Sequence, residues 1–206
     1  MVNSGKEQPL STHGDRYDEN RSYSIASYGK GSIFLAQLQY LIGKENVMKT
    51  LKKYYADFKF KHPTPNDIKR TAERISGANL DWYLTDWTET LNTIDYGIKN
   101  VEGATNGVQK TGISLERIGR TPMPIDLLVE YTDGTKESFY IPLRMMSFVK
   151  ENPTPEIKRS ILIDWAWGNP NYFFEINKPK SSIKKITLDP SGLMADVKSE
   201  NNIFTN

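Results

Sequence analysis

The chain has 206 residues, which is enough to bury a substantial core and to form one or two domains. Its hydrophobic content of 37% and charged content of 25% are typical of a soluble globular protein. A formal net charge of +2 predicts no long-range attraction to nucleic acid or to an acidic membrane. There is no cysteine in the sequence, so neither a disulfide framework nor a thiolate metal site can form.

The first residues of the chain are polar and lack the apolar core of a signal peptide. No segment approaches the roughly 20 consecutive apolar residues of a membrane-spanning helix. We therefore expect no membrane partner, and the sequence leaves the cellular compartment open.

Helical periodicity dominates the first part of the chain. Residues 1–20 are polar and are expected to form an arm. Apolar residues then recur every three or four positions, which predicts four helices, at about residues 22–42, 45–58, 65–76 and 79–91. The first helix is expected to bury one face, formed by Ile25, Tyr28, Ser32, Leu35, Leu38 and Ile42.

The ends of these helices carry recognisable signals. Thr64 followed by Pro65 is a strong helix start, because threonine accepts a hydrogen bond as N-cap and proline suits the first helical position. Gly43 and Gly77 are expected to end the first and third helices.

Strand signals replace helical ones from about residue 93. Asp133-Gly134 lies between two alternating runs within residues 127–141 and predicts a β-hairpin. Further strands are predicted at residues 160–165, 172–176 and 183–188. About seven short antiparallel strands indicate a small β-sandwich.

The sequence thus predicts an α+β fold, with an N-terminal helical segment followed by an antiparallel β-sandwich. The expected parts are a polar arm at 1–20, a helical segment at 21–92, a β-sandwich at 93–196 and a loosely held polar tail at 197–206.

Tyr28 is the residue whose side chain is most clearly suited to a role in catalysis. It lies in the run Y-S-I-A-S-Y-G-K-G at residues 23–31, directly before an apolar helix. A phenol stays protonated at neutral pH and can donate a hydrogen bond to an oxyanion. The glycines on either side of Lys30 would let the backbone pass close to a ligand, with Lys30 directed elsewhere. The alternative is a tyrosine whose ring packs at the start of a buried helix.

This run and several later segments resemble the aminopeptidase N type zinc peptidases (peptidase family M1, gluzincins). The helix at 31–43 ends in Leu-Ile-Gly as in the family, and F-K-F-K-H-P-T at 58–64 and E-R-I-S-G-A-N-L-D-W-Y at 73–83 resemble its later segments. Pro122-Met-Pro-Ile125 resembles the start of the β-domain that follows. The resemblance covers about residues 9–200 and is most specific over 22–92.

The resemblance implies a role for two tyrosines. Tyr28 would be the transition-state tyrosine, and Tyr23, five positions earlier, a substrate-binding residue. Residues 21–92 would be the C-terminal half of a thermolysin-like catalytic domain. The substrate of the whole enzyme would be a peptide, from which it removes N-terminal residues.

The family's H-E-x-x-H motif, its later glutamate ligand and its G-x-M-E-N motif are absent from these 206 residues. We therefore expect the zinc ligands of a full-length parent to lie outside this chain, and no cofactor to bind within it. The isolated chain is expected to be inactive. Its expected partner is the missing N-terminal half of the catalytic domain, without which an exposed apolar helix face would favour self-association.

Other candidate residues have simpler interpretations. His13 and His62 lie 49 positions apart, and neither has a second histidine within helical reach, so they are expected to be structural rather than metal ligands. Asp67, Glu73, Asp81 and Asp86 are expected on solvated helix faces. The lysines and aromatics of residues 49–61 resemble a single-stranded nucleic-acid surface, but the aromatics fall on the apolar helix face, so we expect no nucleic-acid partner.

The segment W-A-W-G-N-P-N-Y at residues 165–172 is an aromatic cluster within the predicted sandwich. Such a cluster either covers a sandwich edge or forms a platform for a peptide or sugar. The second possibility supports an alternative function, a non-catalytic binding or scaffolding module derived from the peptidase tail.

Overall fold

The computed structural model describes residues 4–104 and 109–206. The chain divides into two compact units. Unit 1 comprises Met1–Thr93 together with Met145–Glu151, and unit 2 comprises Ile94–Arg144 together with Asn152–Asn206. The predicted fold class, α+β with helices first and a sandwich-like arrangement of sheets second, is confirmed. Among the described residues, no helix has both the length and the apolar character needed to cross a bilayer.

Unit 1 is helical. Its helices are α1 (Asn20–Ser24), a π-helical turn (Ile25–Lys30), α2 (Gly31–Ile42), α3 (Lys44–Phe58), α4 (Pro65–Ser76) and α5 (Asp81–Glu89). The core of this unit lies between α2, α4 and α5 and includes Leu38, Leu41, Ala72, Leu80 and Tyr83. The Tyr83 ring stacks on Phe34 at 4.9 Å between centroids, and its hydroxyl donates to the Phe34 carbonyl oxygen at 2.5 Å.

The first helix departs from the predicted one. It was expected to be uninterrupted, with Tyr28 and Ser32 on the buried face, and that expectation is wrong because both side chains are exposed. A π-helical turn contains one residue more than an α turn, and one residue corresponds to about 100° of rotation around the helix axis. The face that is buried before the turn therefore does not continue in phase through it. The buried residues of α2 are Phe34, Gln37, Leu38, Tyr40, Leu41 and Ile42.

The predicted start and end of α4 are confirmed. Thr64 and Asp67 form a capping box, in which the Thr64 backbone N–H donates to the Asp67 carboxylate at 2.7 Å. The hydrogen bonds from the Thr64 backbone and hydroxyl hold the pKa of Asp67 below its usual range. At the other end, Gly77 adopts a left-handed conformation with φ of 81°, which suits glycine because it has no Cβ.

Residues Met145–Glu151 follow a strand of unit 2 in sequence but pack within unit 1. The Asn79 backbone N–H donates to the Met146 carbonyl oxygen at 2.9 Å. Lys150 is buried, donates to the Tyr40 carbonyl oxygen at 2.9 Å and lies 3.9 Å from the centre of the Tyr40 ring. The ammonium group at this position stabilises the C-terminal end of α2, because the helix carbonyls there carry partial negative charge.

Unit 2 consists of two sheets. A three-stranded sheet has the order β1-β2-β6, and a five-stranded sheet has the order β5-β4-β3-β7-β8. The strands are β1 (Tyr96–Gly103), β2 (Thr111–Arg117), β3 (Ile125–Tyr131), β4 (Lys136–Ile141), β5 (Arg159–Ile161), β6 (Asn171–Ile176), β7 (Ile183–Leu188) and β8 (Ile203–Thr205).

The predicted hairpin is confirmed as β3 and β4, which pair antiparallel from Ile125 opposite Ile141 to Glu130 opposite Lys136. In its turn, the Asp133 carboxylate accepts hydrogen bonds from the backbone N–H of Thr135 at 2.8 Å and from its hydroxyl at 2.6 Å. These bonds lower the pKa of Asp133. Gly134 supplies the positive φ, 84°, that this turn requires.

Two features of unit 2 differ from the prediction. β5 pairs with β4 in parallel, so the five-stranded sheet is mixed rather than purely antiparallel. The tail, expected to be loosely held, instead ends in β8, which pairs antiparallel with β7 from Lys185 opposite Thr205 to Thr187 opposite Ile203. Backbone hydrogen bonds to β7 keep this segment in place, although it is too short and too polar to show the alternating pattern of a strand.

Candidate functional site

Tyr28 lies in the π-helical turn between α1 and α2. The backbone N–H of Gly31 donates to the carbonyl oxygen of Ala26, five residues earlier, which is the hydrogen bond of a π helix. The Ser32 hydroxyl donates to the Gly29 carbonyl oxygen at 2.8 Å, at the same point of the helix. Isolated π turns within longer helices occur frequently at functional sites, because they present a side chain in a direction that a regular helix does not.

The Tyr28 side chain faces solvent. It is 72% exposed, and its hydroxyl makes no hydrogen bond within the described part of the chain. The alternative interpretation, a ring packed into the core at the start of a helix, is therefore wrong. The phenol hydroxyl in this position can donate a hydrogen bond to an external acceptor such as an oxyanion. It does so without first breaking a hydrogen bond within the protein.

Lys30 is the last residue of the π turn, and its ammonium binds a distant backbone carbonyl. Its Nζ donates to the carbonyl oxygen of Thr90 at 2.7 Å. Thr90 is the C-cap residue of α5. The Lys30 side chain therefore links the π turn to the end of a helix 60 residues later in the sequence.

Tyr23 lies on α1 and is 44% exposed. Its ring contacts that of Tyr17 edge to face, at 5.5 Å between centroids. Tyr17 belongs to the polar arm, and its hydroxyl donates to the carbonyl oxygen of Pro9 at 3.3 Å. Burial raises the pKa of Tyr17. The arm is thus folded back against α1, and Tyr23 presents one side of its ring to it.

An open apolar groove of about 330 Å³ also lies in unit 1. It contains neither a carboxylate nor an imidazole, so it offers a surface for apolar groups and no acid or base. Its lining residues are Leu10, Ser11, Phe34, Tyr54, Pro63, Thr64, Pro65, Ile68, Leu84 and Thr88.

Comparison with known proteins finds a likeness for the helical unit. Residues 2–87 match the model of the peptidase family M1 domain. The helical segment is thus similar to the family M1 domain. Over 192 residues the chain is also 24% identical to Aminopeptidase 2 of Candida albicans (strain SC5314 / ATCC MYA-2876), an alignment that covers 89% of this chain and 19% of the relative. The chain thus spans about a fifth of the length of that relative, and the two matches together support a fragment of a family M1 peptidase.

Family M1 is generally zinc-dependent, so a zinc site would be expected in the whole domain. Within residues 4–104 and 109–206, no three His, Cys, Asp or Glu side chains come together in a group that could hold a metal ion. His13 and His62 are both exposed, and the His13 ring nitrogen accepts a hydrogen bond from the Asp15 backbone N–H at 3.3 Å. The donors present do not fit a catalytic zinc ion, which requires three protein ligands.

The four acidic residues singled out in the sequence have structural partners. Asp67 belongs to the capping box, and Glu73 accepts a hydrogen bond from the Leu80 backbone N–H at 2.9 Å. Asp81 is paired with Lys69. The Asp86 carboxylate accepts a hydrogen bond from the Asn92 amide at 3.4 Å. These contacts account for the four acids as helix-end and surface groups.

The aromatic cluster of unit 2 is divided between core and surface. Trp165 is buried, and its ring lies 5.5 Å from that of Tyr96 and 5.1 Å from that of Tyr172. Trp167 is 58% exposed. Trp165 and Tyr172 therefore extend the hydrophobic core, and Trp167 is the ring of this cluster that remains open to a partner.

Proposed function

We propose that the chain is the C-terminal part of a zinc-dependent aminopeptidase that hydrolyses N-terminal residues from peptides. In this proposal Tyr28 stabilises the transition state and unit 2 is the β-domain that follows the catalytic domain. The observation that carries the proposal is the exposed, unbonded Tyr28 hydroxyl on a π turn within the segment that matches family M1.

The chemistry proposed for Tyr28 is hydrogen-bond donation. When a nucleophile adds to a peptide carbonyl, the carbonyl oxygen gains negative charge. A neutral phenol donor directed at that oxygen binds it more strongly in the transition state than in the ground state. Losing one such donor typically lowers turnover by about 10²–10³-fold.

Tyr23 is proposed to contact the peptide substrate. Its half-exposed ring is braced by Tyr17, so it can offer a flat surface without losing much side-chain entropy on binding. The zinc ion and the group that activates water would come from a part of the peptidase other than these residues. That part, the N-terminal half of the catalytic domain, is the proposed partner of unit 1.

Exposed apolar side chains in unit 1 support a partner for its surface. Large side chains that would ordinarily be buried are at least 44% exposed there, namely Tyr23, Tyr28, Met48, Tyr55, Phe60, Leu91 and Val149. If nothing covers them, we expect the isolated chain to self-associate at high concentration. A strictly monomeric chain that binds no apolar dye would argue against a missing partner.

The proposal is tested first with the 206-residue chain on an aminoacyl anilide. We expect no hydrolysis and no tight zinc binding by calorimetry. Hydrolysis that is lost in Tyr28→Phe would contradict the assignment of the remaining machinery to another part of the protein. Reading the coding DNA upstream of Met1 completes the test, because an open frame with H-E-x-x-H and a later glutamate is required.

A second candidate function is a binding module without catalysis. The observation that favours it is a set of exposed apolar side chains in unit 2, Ile161 at 57%, Ile163 at 79% and Trp167 at 58%. A stop codon directly upstream of Met1, together with loss of partner capture in Trp167→Ala, would favour this candidate over the peptidase. The matching control is Tyr28→Phe, which should still bind the partner.

A further inference from the structure

The carboxyl end of α5 is a meeting point for three segments of unit 1. The carbonyl oxygen of Thr88 accepts hydrogen bonds from the backbone N–H and the hydroxyl of Ser11, both at 2.8 Å. The carbonyl oxygen of Thr90 accepts the hydrogen bond from Lys30 at 2.7 Å. The Thr90 hydroxyl in turn donates to the Asp86 carbonyl oxygen at 2.6 Å and accepts from the Asn92 backbone N–H at 3.1 Å. The polar arm, the π turn and the segment after α5 are thus tied to the same helix end.

Lys30 is suited to this position by its charge. Unpaired carbonyls at a helix C-terminus carry partial negative charge, which favours a cation. The side chain is half-buried, and burial lowers the pKa of Lys30, while the carboxylates of Glu7 and Asp86 oppose that change. A hydrogen bond from a charged donor is stronger than one between neutral groups.

We propose that Lys30 is a positioning residue for Tyr28, because its bond to Thr90 holds the π turn in the register that exposes the tyrosine. This inference rests on the proposed role of Tyr28. A π turn is rarer and less favourable than an α turn, so an additional contact must favour it. If segment 25–30 relaxed to α-helical hydrogen bonding, Tyr28 would rotate by about 100° relative to α2. Its hydroxyl would then point away from the direction that the π turn gives it.

The test uses the 206-residue chain and two readouts that do not depend on activity. The first is amide hydrogen exchange in residues 25–31, and the second is the ¹⁹F resonance of 3-fluorotyrosine placed at position 28. We expect Lys30→Met to speed exchange in this segment by about tenfold, because a charge-assisted hydrogen bond is lost. We also expect it to shift or split the fluorine resonance, and Lys30→Arg to restore both readouts because guanidinium also donates to a carbonyl.

Lys61→Met is the matched control. Lys61 also donates to a carbonyl oxygen near the end of a helix, that of Asp57 in α3, at 2.6 Å. This variant removes the same kind of bond elsewhere in unit 1, so it should leave exchange in residues 25–31 and the fluorine resonance unchanged. Unchanged readouts in Lys30→Met, equal changes in Lys61→Met, or no rescue by Lys30→Arg would each overturn the proposal.

The failure of this inference is distinguishable from failure of the proposed function. Turnover is measured on the whole peptidase that the proposed function requires, because the 206-residue chain is expected to be inactive. If Lys30→Met alters both readouts but Tyr28→Phe leaves that turnover unchanged, the π-turn tether stands and the catalytic role of Tyr28 falls. If Tyr28→Phe abolishes turnover and Lys30→Met leaves the readouts unchanged, the catalytic role stands and the positioning role of Lys30 falls.

Discussion

The same chemical change, Tyr→Phe, separates a structural tyrosine from a functional one in unit 1. Tyr83 is 1% exposed, and its hydroxyl donates to the Phe34 carbonyl oxygen at 2.5 Å. Tyr28 is 72% exposed and makes no hydrogen bond with the described residues. Tyr83→Phe therefore removes an internal bond from the folded state, whereas Tyr28→Phe removes none.

The magnitude follows from the Tyr83 bond. An internal hydrogen bond contributes about 1 kcal/mol to the free energy of unfolding, so we expect Tyr83→Phe to cost about that much. In a unit of about 100 residues, 1 kcal/mol lowers Tm by roughly 4–8 °C. For Tyr28→Phe we expect a change within about 0.5 kcal/mol, as for surface substitutions in general.

The pH dependence gives a second check on the same pair. Burial raises the pKa of Tyr83 well above its ordinary value of 10.0, so the unfolded state ionises first as the pH rises. The stability that Tyr83 contributes is therefore fully present below pH 10 and is lost progressively above it. Phenylalanine does not ionise, so the difference between wild type and Tyr83→Phe should shrink above pH 10.

The assay is urea unfolding followed by far-ultraviolet circular dichroism, at neutral pH and in alkali. A loss of stability in Tyr28→Phe equal to that in Tyr83→Phe would refute the reasoning. It would mean that the Tyr28 hydroxyl has an internal partner, and the exposed donor on which the proposed function depends would not exist.

Three further substitutions test the fold. Tyr96→Phe should lower the free energy of thermal unfolding by about 2 kcal/mol, because the buried Tyr96 hydroxyl accepts a hydrogen bond from the Met123 backbone N–H at 2.7 Å and its removal leaves that donor without a partner. A decrease of less than about 0.5 kcal/mol would contradict this. Thr64→Ala should lower the free energy of unfolding in urea by about 1 kcal/mol at neutral pH. The difference in stability between wild type and variant should become smaller in acid, because Asp67 is protonated as the pH falls through its lowered pKa. A difference that stays the same in acid would argue against the capping box. Phe60→Gly should raise the free energy of unfolding by up to about 1 kcal/mol, because Phe60 is fully exposed in a left-handed conformation with φ of 62°. A lower Tm than that of the wild type would contradict this.

Local signals were sufficient for much of the fold. The helix start at Thr64-Pro65, the glycine at position 77 and the Asp133-Gly134 hairpin each depend on residues close together in sequence, and all three are present in the structure. These elements require no information about the rest of the molecule, because the hydrogen bonds that define them close within a few residues.

Features that depend on distant contacts were missed. The π turn ends at Lys30, whose hydrogen-bond partner Thr90 is 60 residues away, and helical periodicity alone therefore placed Tyr28 on the buried face. The parallel pairing of β5 with β4 depends on a long connection whose path the strand pattern does not specify. The three residues of β8 are too few to show an alternating pattern.

The candidate site shows the same division. Tyr28 and Tyr23 were selected by family resemblance, since no residue pattern by itself distinguishes an oxyanion donor from a core tyrosine. The contact between Lys30 and Thr90 had no sequence signal at all, because a lysine between two glycines is compatible with many surroundings.

The central claim is that Tyr28 donates a hydrogen bond in the transition state of peptide hydrolysis. Its most direct test is the kcat for an aminoacyl anilide, measured with the whole peptidase that the proposed function requires. We predict that Tyr28→Phe lowers kcat by about 10²–10³-fold with little change in KM and in stability. A kcat within about threefold of wild type would contradict the claim.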